Sequence, residues 1–538
     1  MTTVAAPAPA RQLAGQRGVM SQRGWWLLGA VLLVLAAALV RLSVLQRSSW
    51  LLEGDDALSA LMALGIMDGD RPLMLKNQTY AGAWEPYAMA MTFALFGISR
   101  VSAKLPELLT SLAAIGSTWF LARAAAGRTA AWFAAVLAAF PPVYVLVLSL
   151  KPWAPYTEVV VLGSLCLACA IRIGWRRAGT WTALVCGVCG GLAFWMHPLA
   201  VWYLSAAALC VVVRVRGARL VRIGAIGMAG FLAGALPVWA YNLQTNGATF
   251  RFVASGTQGQ TADRWAVLSA WWNNDLPRGV GLWHPWGDSP SALGWVMATL
   301  VAAALLWALF ARQRPVTRGL DGVVVLLLTI PTLFALSGFG GPALNPYGFD
   351  ATGRYAPPLW FALAVVIGAA LASLWRYQRV LALLACAIPV AINLGALVTT
   401  DPIQAFQSPY WDRLPADNAP LLKTLRSAGI SEVWMNHWAG QPLMFDARVA
   451  GQPLIAYDWY DVQAGGIDRF PEYRARVEQA SRSAFVLVTD ETEPDLARRL
   501  RDMGVTFDEY RVPPYVVVVP TSRVVHPSEV TAALDYRY

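Results

Sequence analysis

Long apolar runs dominate this chain and restrict what it can fold into. Eleven of them approach the roughly 20 residues that a helix needs to cross a bilayer. They lie at 25–45, 105–123, 129–148, 158–174, 179–195, 199–213, 223–241, 290–311, 322–339, 355–374 and 380–399. Only 14% of the residues are charged, whereas a soluble domain has about 25%. The sequence therefore predicts a polytopic α-helical membrane protein with about eleven transmembrane helices.

The arginines between these runs predict how the helices are oriented. Loops rich in Lys and Arg lie on the cytoplasmic side of membrane proteins. The segment 86–97, PYAMAMTFALFG, is apolar but too short to span, so we expect it to lie on the outer surface. The arginines that then share the inner side with the N-terminus are Arg11, Arg17, Arg23, Arg123, Arg128, Arg172, Arg176, Arg177, Arg214, Arg216, Arg219, Arg222, Arg312, Arg314, Arg318, Arg376 and Arg379. The net charge of +10 thus indicates topology and not nucleic-acid binding.

Changes in composition along the chain predict its domain organisation. Residues 1–24 are rich in Ala, Pro and Gln, which is typical of a disordered cytoplasmic tail. Residues 25–399 form the transmembrane domain, with a first outer loop at 46–104. In residues 400–538, LLKTLRSAGI and DLARRLRDMG have helical periodicity, whereas SEVWMN, SAFVLVTD and PYVVVVP are typical of strands. We expect a small extracytoplasmic α/β domain at the C-terminus.

Several familiar motifs are absent or misleading. The sequence has no G-x-G-x-x-G, no G-x-x-x-x-G-K-[ST] and no G-x-S-x-G, which argues against nucleotide-driven transport and serine-hydrolase chemistry. The C-x-x-C pairs Cys166/Cys169 and Cys186/Cys189 lie inside apolar runs, where small thiols pack between helices. The D-G-D sequence at 68–70 precedes Arg-Pro and indicates a turn.

Acidic residues at the outer ends of the runs are the main candidates for chemistry. The stretch LLEGDD places Glu53, Asp55 and Asp56 directly after the first run. Glu85 and Glu158 border apolar segments, where an ionised group is costly unless it faces a wet cavity. Such a carboxylate can serve as a general base. Alternatively, Asp55 is the N-cap of the next helix, and Glu85 and Glu158 are interfacial carboxylates that reach toward water.

Outer cations are candidates for binding a phosphate group. Lys76, Lys151 and Arg354 all fall on the predicted outer side. Arg354 precedes Tyr355 at the start of a run, so it could also anchor that helix at the membrane surface. His197 is followed by Pro198 at the outer end of a run, a pattern that favours a helix-end turn over a ligand.

The order of short motifs along the chain resembles that of the GT-C membrane glycosyltransferases. The likeness is to the glycosyltransferase family 39 group, which includes protein mannosyltransferases and aminoarabinose transferases. It covers most of 51–371 and rests on G-D-D-A-L, Y-A-G-A-W-E-P-Y, A-L-F-G-I-S, L-P-E-L-L, K-P-W-A-P-Y-T-E-V-V-V-L-G, W-M-H-P, P-V-W-A-Y-N-L and G-R-Y-A-P-P-L. Where such proteins often carry Asp-Glu in the first outer loop, this chain has Asp55-Asp56.

The resemblance implies transfer of a sugar from a polyprenyl-phosphate donor to an acceptor hydroxyl outside the cytoplasm. It places the protein in the plasma or inner membrane and leaves protein, lipid and polysaccharide acceptors open, with no role for nucleic acid. A divalent cation at the outer carboxylates is also left open. The residues it implicates are Asp55, Asp56 and Glu158 in catalysis, and Glu85, Lys76, Lys151, His197, Arg354 and Tyr355 in substrate binding. The resemblance puts the base at the first acid of the Asp55-Asp56 pair.

Two other classes of protein remain as alternatives. A secondary transporter or flippase of lipid-linked sugars would also have many spans and buried acids. Transporters commonly contain internal repeats and charged residues in the middle of spans, whereas the two halves of this chain show no self-similarity and its acids lie at outer ends. A non-catalytic assembly or sensor protein would use the C-terminal domain to bind a partner.

Overall fold

A computed structural model describes residues 22–76, 78–254, 264–283, 289–311, 319–337, 357–401, 403, 414–458 and 468–534. Helices of the N-terminal part are α1 (Gln22–Arg47), α2 (Gly54–Met67), α3 (Trp84–Phe96), α4 (Arg100–Ala126), α5 (Arg128–Ala139), α6 (Val143–Leu148), α7 (Tyr156–Arg176), α8 (Thr180–Met196), α9 (Ala200–Arg214), α10 (Gly217–Gly234), α11 (Leu236–Gln244), α12 (Ala248–Ala254), α13 (Arg264–Ala270), α14 (Leu276–Gly279), α15 (Ala292–Ala311), α16 (Leu320–Ser337), α17 (Pro357–Trp375) and α18 (Arg379–Thr399). A π-helical turn at Trp271–Asp275 joins α13 to α14.

The polytopic helical architecture is confirmed for the described part of the chain. Seven of its helices are long and apolar enough to cross a membrane: Gly24–Arg47, Arg100–Ala126, Tyr156–Arg176, Gly217–Gly234, Ala292–Phe310, Pro357–Trp375 and Arg379–Thr399. Four further predicted runs correspond to shorter apolar helices, Arg128–Ala139, Thr180–Met196, Ala200–Arg214 and Leu320–Leu336. The total of eleven spans therefore stays a prediction.

Two of the predicted runs are not single helices. Residues 129–148 divide into α5 and α6, because Pro141 and Pro142 separate the two segments and a proline interrupts the helical hydrogen bonds. Residues 223–241 divide between α10 and α11 at Ala235, next to Pro237. Periodicity alone did not reveal these breaks, since the apolar composition continues across them.

Helix α3 contains the short segment whose position was ambiguous in the sequence. Its 13 residues are too few to cross a bilayer of ordinary thickness. One face packs on α2 and α4 and buries Glu85, Met89 and Phe93. Met91 and Leu95 on the opposite face are exposed, as is Phe96 at the end of the helix. These contacts bring the first turn of α3 close to the buried parts of α2.

The C-terminal part is built on a five-stranded mixed sheet. Its strands are β1 (Glu432–Met435), β2 (Ile455–Tyr457), β3 (Ala484–Val488), β4 (Phe507–Val512) and β5 (Tyr515–Pro520), in the spatial order β2-β1-β3-β5-β4. β1 is parallel to β2 and β3, whereas β5 is antiparallel to β3 and β4. Its helices are α19 (Ala419–Ser427), α20 (His437–Val449), α21 (Pro471–Glu478) and α22 (Asp495–Asp502).

The sheet domain and the segment 46–104 share one hydrophobic core. Leu58 and Leu61 of α2 belong to the same buried cluster as Leu443 and Phe445 of α20. Burying apolar surface in this way stabilises the contact by roughly 25 cal/mol per Å². The composition of the chain changes at the predicted boundary near 400, but the residues before and after it contribute to the same core. Helix α2 therefore packs against α3 and also against α20.

Polar contacts reinforce this junction. Arg100, at the start of α4, contacts both carboxylate oxygens of Asp446 in α20, with a distance of 2.8 Å from Nε to Oδ1. A bidentate ion pair of this kind fixes the orientation of the two side chains as well as the distance between them. The start of α20 also lies against the start of α2, where a Cβ on Gly54 would come within 2.9 Å of Trp438 Cε3. Only a glycine allows this approach.

Candidate active site

The N-terminus of α2 carries the three acids of the LLEGDD stretch, and each has a different role. Glu53 is the N-cap of α2, and its backbone N–H donates to Asp56 Oδ2 at 3.3 Å. The sequence had left open whether Asp55 is the N-cap, and the structure shows that it is not. Asp55 and Asp56 occupy the first helical turn, where the helix dipole favours negative charge.

Asp56 and Glu53 form two buried ion pairs with lysines. Lys104 Nζ of α4 lies 2.6 Å from Asp56 Oδ2, and neither side chain is exposed. Lys151 Nζ lies 2.9 Å from Glu53 Oε2, and these side chains are also buried. Each lysine neutralises an acid that would otherwise be a costly buried charge. Asp56 is thus part of the protein core. Lys151 was predicted to bind a phosphate, and in the structure it forms an ion pair with Glu53.

Asp55 differs from its two neighbours because its partner comes from the C-terminal part. Arg469 Nη1 donates to Asp55 Oδ1 at 2.8 Å. The side chains of Arg469 and Asp55 remain 16% and 8% exposed, respectively. Asp55 is therefore more accessible than the fully buried Asp56. Among the two predicted catalytic aspartates, the geometry favours the first.

A second group of acids lies where α3, α4 and α7 meet. Carboxylate oxygens of Glu85, Glu107 and Glu158 all lie within 4.8 Å of one another, and all three residues are buried. Ser59 Oγ of α2 is 3.5 Å from Glu85 Oε2. We call Glu85, Glu107 and Glu158 the glutamate cluster. Glu85 and Glu158 were expected as site residues, and the structure brings them together.

Glu107 is the member of the glutamate cluster that the sequence analysis missed as a site residue. It lies in the L-P-E-L-L segment, which supported the family resemblance but was given no role. The available signal was an acid within a predicted span, which is rare without a function. Its two partners are 22 and 51 residues away in sequence, so only the packing of α4 against α3 and α7 shows that they meet.

Three carboxyl groups this close together cannot all be ionised without a compensating cation. Burial raises the pKa of Glu85 well above its usual value, and the neighbouring Glu158 and Asp56 raise it further. Glu85 Oε1, Glu107 Oε1 and both oxygens of Glu158 have no hydrogen bond of ordinary geometry within the described part of the chain. Three carboxylates suit a hard divalent cation such as Mg²⁺ or Mn²⁺. The donor set therefore fits a metal ion.

The remaining predicted binding residues lie in different surroundings. Lys76 Nζ forms an ion pair with Glu472 of α21 at 2.7 Å, so it supports the domain junction. His197 ends α8, and its Nδ1 accepts from the backbone N–H of Leu199 at 3.2 Å, which fits the predicted helix-end turn. Its ring also packs against Tyr156, two residues before Glu158.

The predicted residues Arg354 and Tyr355 lie outside the described residues. The D-G-D turn is observed at the end of α2, where Asp68 is the C-cap and Gly69 has a φ of 118°. The cysteines of α7 and α8 face one another, with 3.7 Å between the sulfur atoms of Cys166 and Cys186. This is a packing contact of thiols in apolar surroundings.

Comparison with known proteins shows a shared fold at low sequence identity. No protein-family model matches the sequence, and no curated protein matches it. The structure of ArnT from Cupriavidus metallidurans bound to undecaprenyl phosphate has a TM-score of 0.62 at 16% identity, covering 93% of this chain and 99% of that one. The apo state of the same protein gives 0.61 at 15% identity, covering 93% and 98%.

A mycobacterial structure extends the comparison. The arabinofuranosyltransferase AftD from Mycobacteria has a TM-score of 0.57 at 15% identity, covering 94% of this chain and 40% of that chain. The resemblance to the GT-C glycosyltransferases is thus confirmed for the fold. In the ArnT comparison it extends over nearly the full length of both chains.

Proposed function

We propose that this protein transfers a sugar from a polyprenyl-phosphate donor to an acceptor hydroxyl on the extracytoplasmic side of the membrane. The observation that carries this proposal is the near-complete correspondence with the fold of ArnT, which was solved with undecaprenyl phosphate bound. The acids at the start of α2 support it, because transfer to a hydroxyl requires a base. Active face and C-terminal domain are extracytoplasmic in this proposal, and the N-terminus is cytoplasmic.

Asp55 is the general base of the proposed reaction. It removes the proton of the acceptor hydroxyl while the oxygen attacks the anomeric carbon of the donor sugar. The bond between that carbon and the phosphate oxygen breaks, and its electron pair leaves with the polyprenyl phosphate. Arg469 holds the carboxylate in place before the reaction. Asp56 and Lys104 keep the helix start rigid and take no part in the proton transfer.

The departing phosphate gains negative charge, so the site needs a cation. Arg354 is the proposed side chain for this role, because a guanidinium can bind a phosphate through two hydrogen bonds. The glutamate cluster would hold a divalent cation, and such an ion would supply Lewis-acid stabilisation of the developing negative charge. Glu107 and Glu158 lie in helices long enough to span the membrane, and Glu85 lies in the first turn of α3.

A reconstituted assay tests the proposal against transport. The full-length protein in liposomes receives a radiolabelled polyprenyl-phosphate sugar and a mixed acceptor fraction from bacterial envelopes. We expect label in a covalent product and release of polyprenyl phosphate, and we expect Asp55→Asn to abolish both. Label that crosses the bilayer without covalent product would establish a flippase instead. If the label neither enters a covalent product nor crosses the bilayer, the result favours a binding or assembly protein.

Metal binding is tested separately. Equilibrium dialysis against Mn²⁺, read by electron paramagnetic resonance, should give one bound ion in the wild type. Glu107→Gln should weaken binding at least about tenfold, because it removes one of three charged ligands. Glu529→Gln, at an exposed residue far along the chain, serves as the control. Equal Mn²⁺ binding by wild type and Glu107→Gln would remove the cluster as a metal site.

A further inference from the structure

A small pocket opens at the carboxyl edge of the parallel strands β1 and β2, with apolar as well as polar side chains in its lining. His437 follows the end of β1, and Asp458 follows the end of β2. Ligands of parallel sheets typically bind at this edge. The pocket has a volume of about 20 Å³. One water needs about 10–15 Å³ by the same measure, so the pocket accepts a single group of the size of a hydroxyl.

One residue that lines the pocket carries a buried polar atom without a hydrogen-bond partner among the described residues. Gln441, one turn after His437 on α20, lines the pocket and is only 4% exposed. Its Oε1 has no hydrogen bond among the described residues. A buried acceptor without a hydrogen bond is unfavourable, because it has lost its hydrogen bonds to water. A ligand that donates a hydrogen bond to this oxygen would remove that cost.

The other polar groups of the pocket compensate one another. Asp458 Oδ2 accepts from the backbone N–H of His437 at 2.9 Å and lies 3.1 Å from its Nδ1. Arg469 lines the pocket and is paired with Asp55. The pocket therefore offers donors and an acceptor without a strong excess of either charge. The aromatic ring of Phe470 adds an apolar wall.

This pocket is physically connected to the proposed base. Arg469 lines the pocket and its guanidinium contacts Asp55, so a single side chain links the pocket to that carboxylate. The contact between Trp438 and Gly54 presses the start of α20 onto the start of α2. The C-terminal sheet therefore reaches the acids of α2 at the edge where ligands of parallel sheets bind.

We propose that this pocket binds a hydroxyl of a carbohydrate acceptor and thereby presents the acceptor to Asp55. The proposal rests on the proposed sugar transfer and specifies its acceptor. A hydroxyl both donates and accepts hydrogen bonds, which matches Gln441 Oε1 together with the Arg469 guanidinium. The near-neutral lining favours a sugar over a phosphate group.

Gln441→Met tests this proposal without opening a cavity. Methionine has the same unbranched length, and it removes a buried polar atom that has no partner, so the fold should be retained. Gln479→Met is the matched control, because Gln479 is exposed on the same domain. Thermal melting of both variants verifies that they fold.

Binding is measured on the full-length protein in nanodiscs by saturation-transfer NMR. The probes are the methyl glycosides of mannose, glucose, galactose and arabinofuranose, with the peptide acetyl-Gly-Ser-Gly-amide as a comparison. We expect at least one glycoside to bind, and Gln441→Met to weaken it about tenfold, the effect of one lost hydrogen bond to a buried group. Absence of glycoside binding, or peptide binding that is lost in Gln441→Met, would overturn the carbohydrate assignment.

Transfer kinetics provide the second measurement. With a reactive polyprenyl-phosphate sugar, Gln441→Met should raise the KM for the glycoside about tenfold and leave the affinity for the donor unchanged. An unchanged KM would contradict the proposal. If no donor reacts with any acceptor, the proposed function fails, whereas the NMR result still decides whether this pocket binds sugars.

Discussion

The ammonium of Lys104 lies 2.6 Å from the carboxylate of Asp56, and both side chains are completely buried. The pair joins the start of α2 to α4 and leaves the adjacent Asp55 to face the C-terminal sheet. A buried pair of this kind tolerates the loss of both partners far better than the loss of one. The ion pair therefore distinguishes the structural Asp56 from Asp55, the proposed base, at the adjacent position.

Removing one partner of this pair should destabilise the protein. Asp56→Asn removes the carboxylate charge that lies 2.6 Å from the buried Lys104 ammonium, and we expect a loss of about 3–5 kcal/mol in the free energy of unfolding. The double variant Asp56→Asn with Lys104→Met should recover part of that loss. Thermal melting in detergent measures both. A double variant less stable than the single one would contradict a simple ion pair.

In contrast to Asp56→Asn, Asp55→Asn should impair sugar transfer and leave the stability of the protein nearly unchanged. The amide retains the shape of the side chain and its hydrogen bond from Arg469, so melting should change little. Because an amide cannot accept the proton, transfer of labelled sugar should fall at least about 100-fold. Near-normal transfer by Asp55→Asn, with an inactive but folded Asp56→Asn, would assign the base to Asp56.

The raised pKa of Glu85 predicts a pH-dependent stability. Since the pKa is raised in the folded protein, the protonated carboxyl is favoured by folding, and that stability is lost as pH rises from about 4.5 through the raised value. Glu85→Gln imitates the protonated form, so its advantage over the wild type in melting temperature should grow with pH. The comparison is made in EDTA between pH 4 and 9.

A parallel decline of both melting temperatures with pH would show that Glu85 does not ionise in this range. Addition of Mn²⁺ at pH 8 gives an internal check. If the glutamate cluster binds the ion, Mn²⁺ should raise the melting temperature of the wild type more than that of Glu85→Gln.

Gly54 should be intolerant of even a methyl group. A Cβ there would lie 2.9 Å from Trp438 Cε3 and 3.0 Å from its Cα, so the start of α20 would have to move. We expect Gly54→Ala to lower the melting temperature and sugar transfer together. Gly29→Ala is the control, because a Cβ on Gly29 meets no atom within 4 Å. Equal effects of the two substitutions would argue against a close junction.

The distribution of arginines predicts the orientation of the helices. A phosphatase reporter, active only outside the cytoplasm, should be inactive when fused after Arg177 or Arg219 and active when fused at the C-terminus. The reverse pattern at all three fusions would show that the segment 86–97 spans the bilayer, and the assignment of the active face would fail. The proposed use of an extracytoplasmic lipid-linked donor would then be untenable.

Local sequence patterns predicted much of the secondary structure. Apolar length identified the long helices, because a bilayer requires about 20 apolar residues whatever the neighbouring helices do. In the C-terminal part, SEVWMN, SAFVLVTD and PYVVVVP all contain observed strands. Strand β4, FDEYRV, escaped prediction because its exposed edge position allows charged residues. Proline positions decided the breaks in α5–α6 and α10–α11.

The sequence by itself determined that acids and cations gather at the ends of apolar runs, since charge and hydropathy are local properties. Only the tertiary structure decided their partners. Lys104 forms an ion pair with Asp56, and Lys151 forms one with Glu53. Arg469 contacts Asp55 although the two residues are more than 400 positions apart in the sequence. Glu107 joins Glu85 and Glu158 only where α4 packs against α3 and α7. The direction of a side chain around its helix, and the helix it then faces, depend on packing between distant segments, which no local periodicity records.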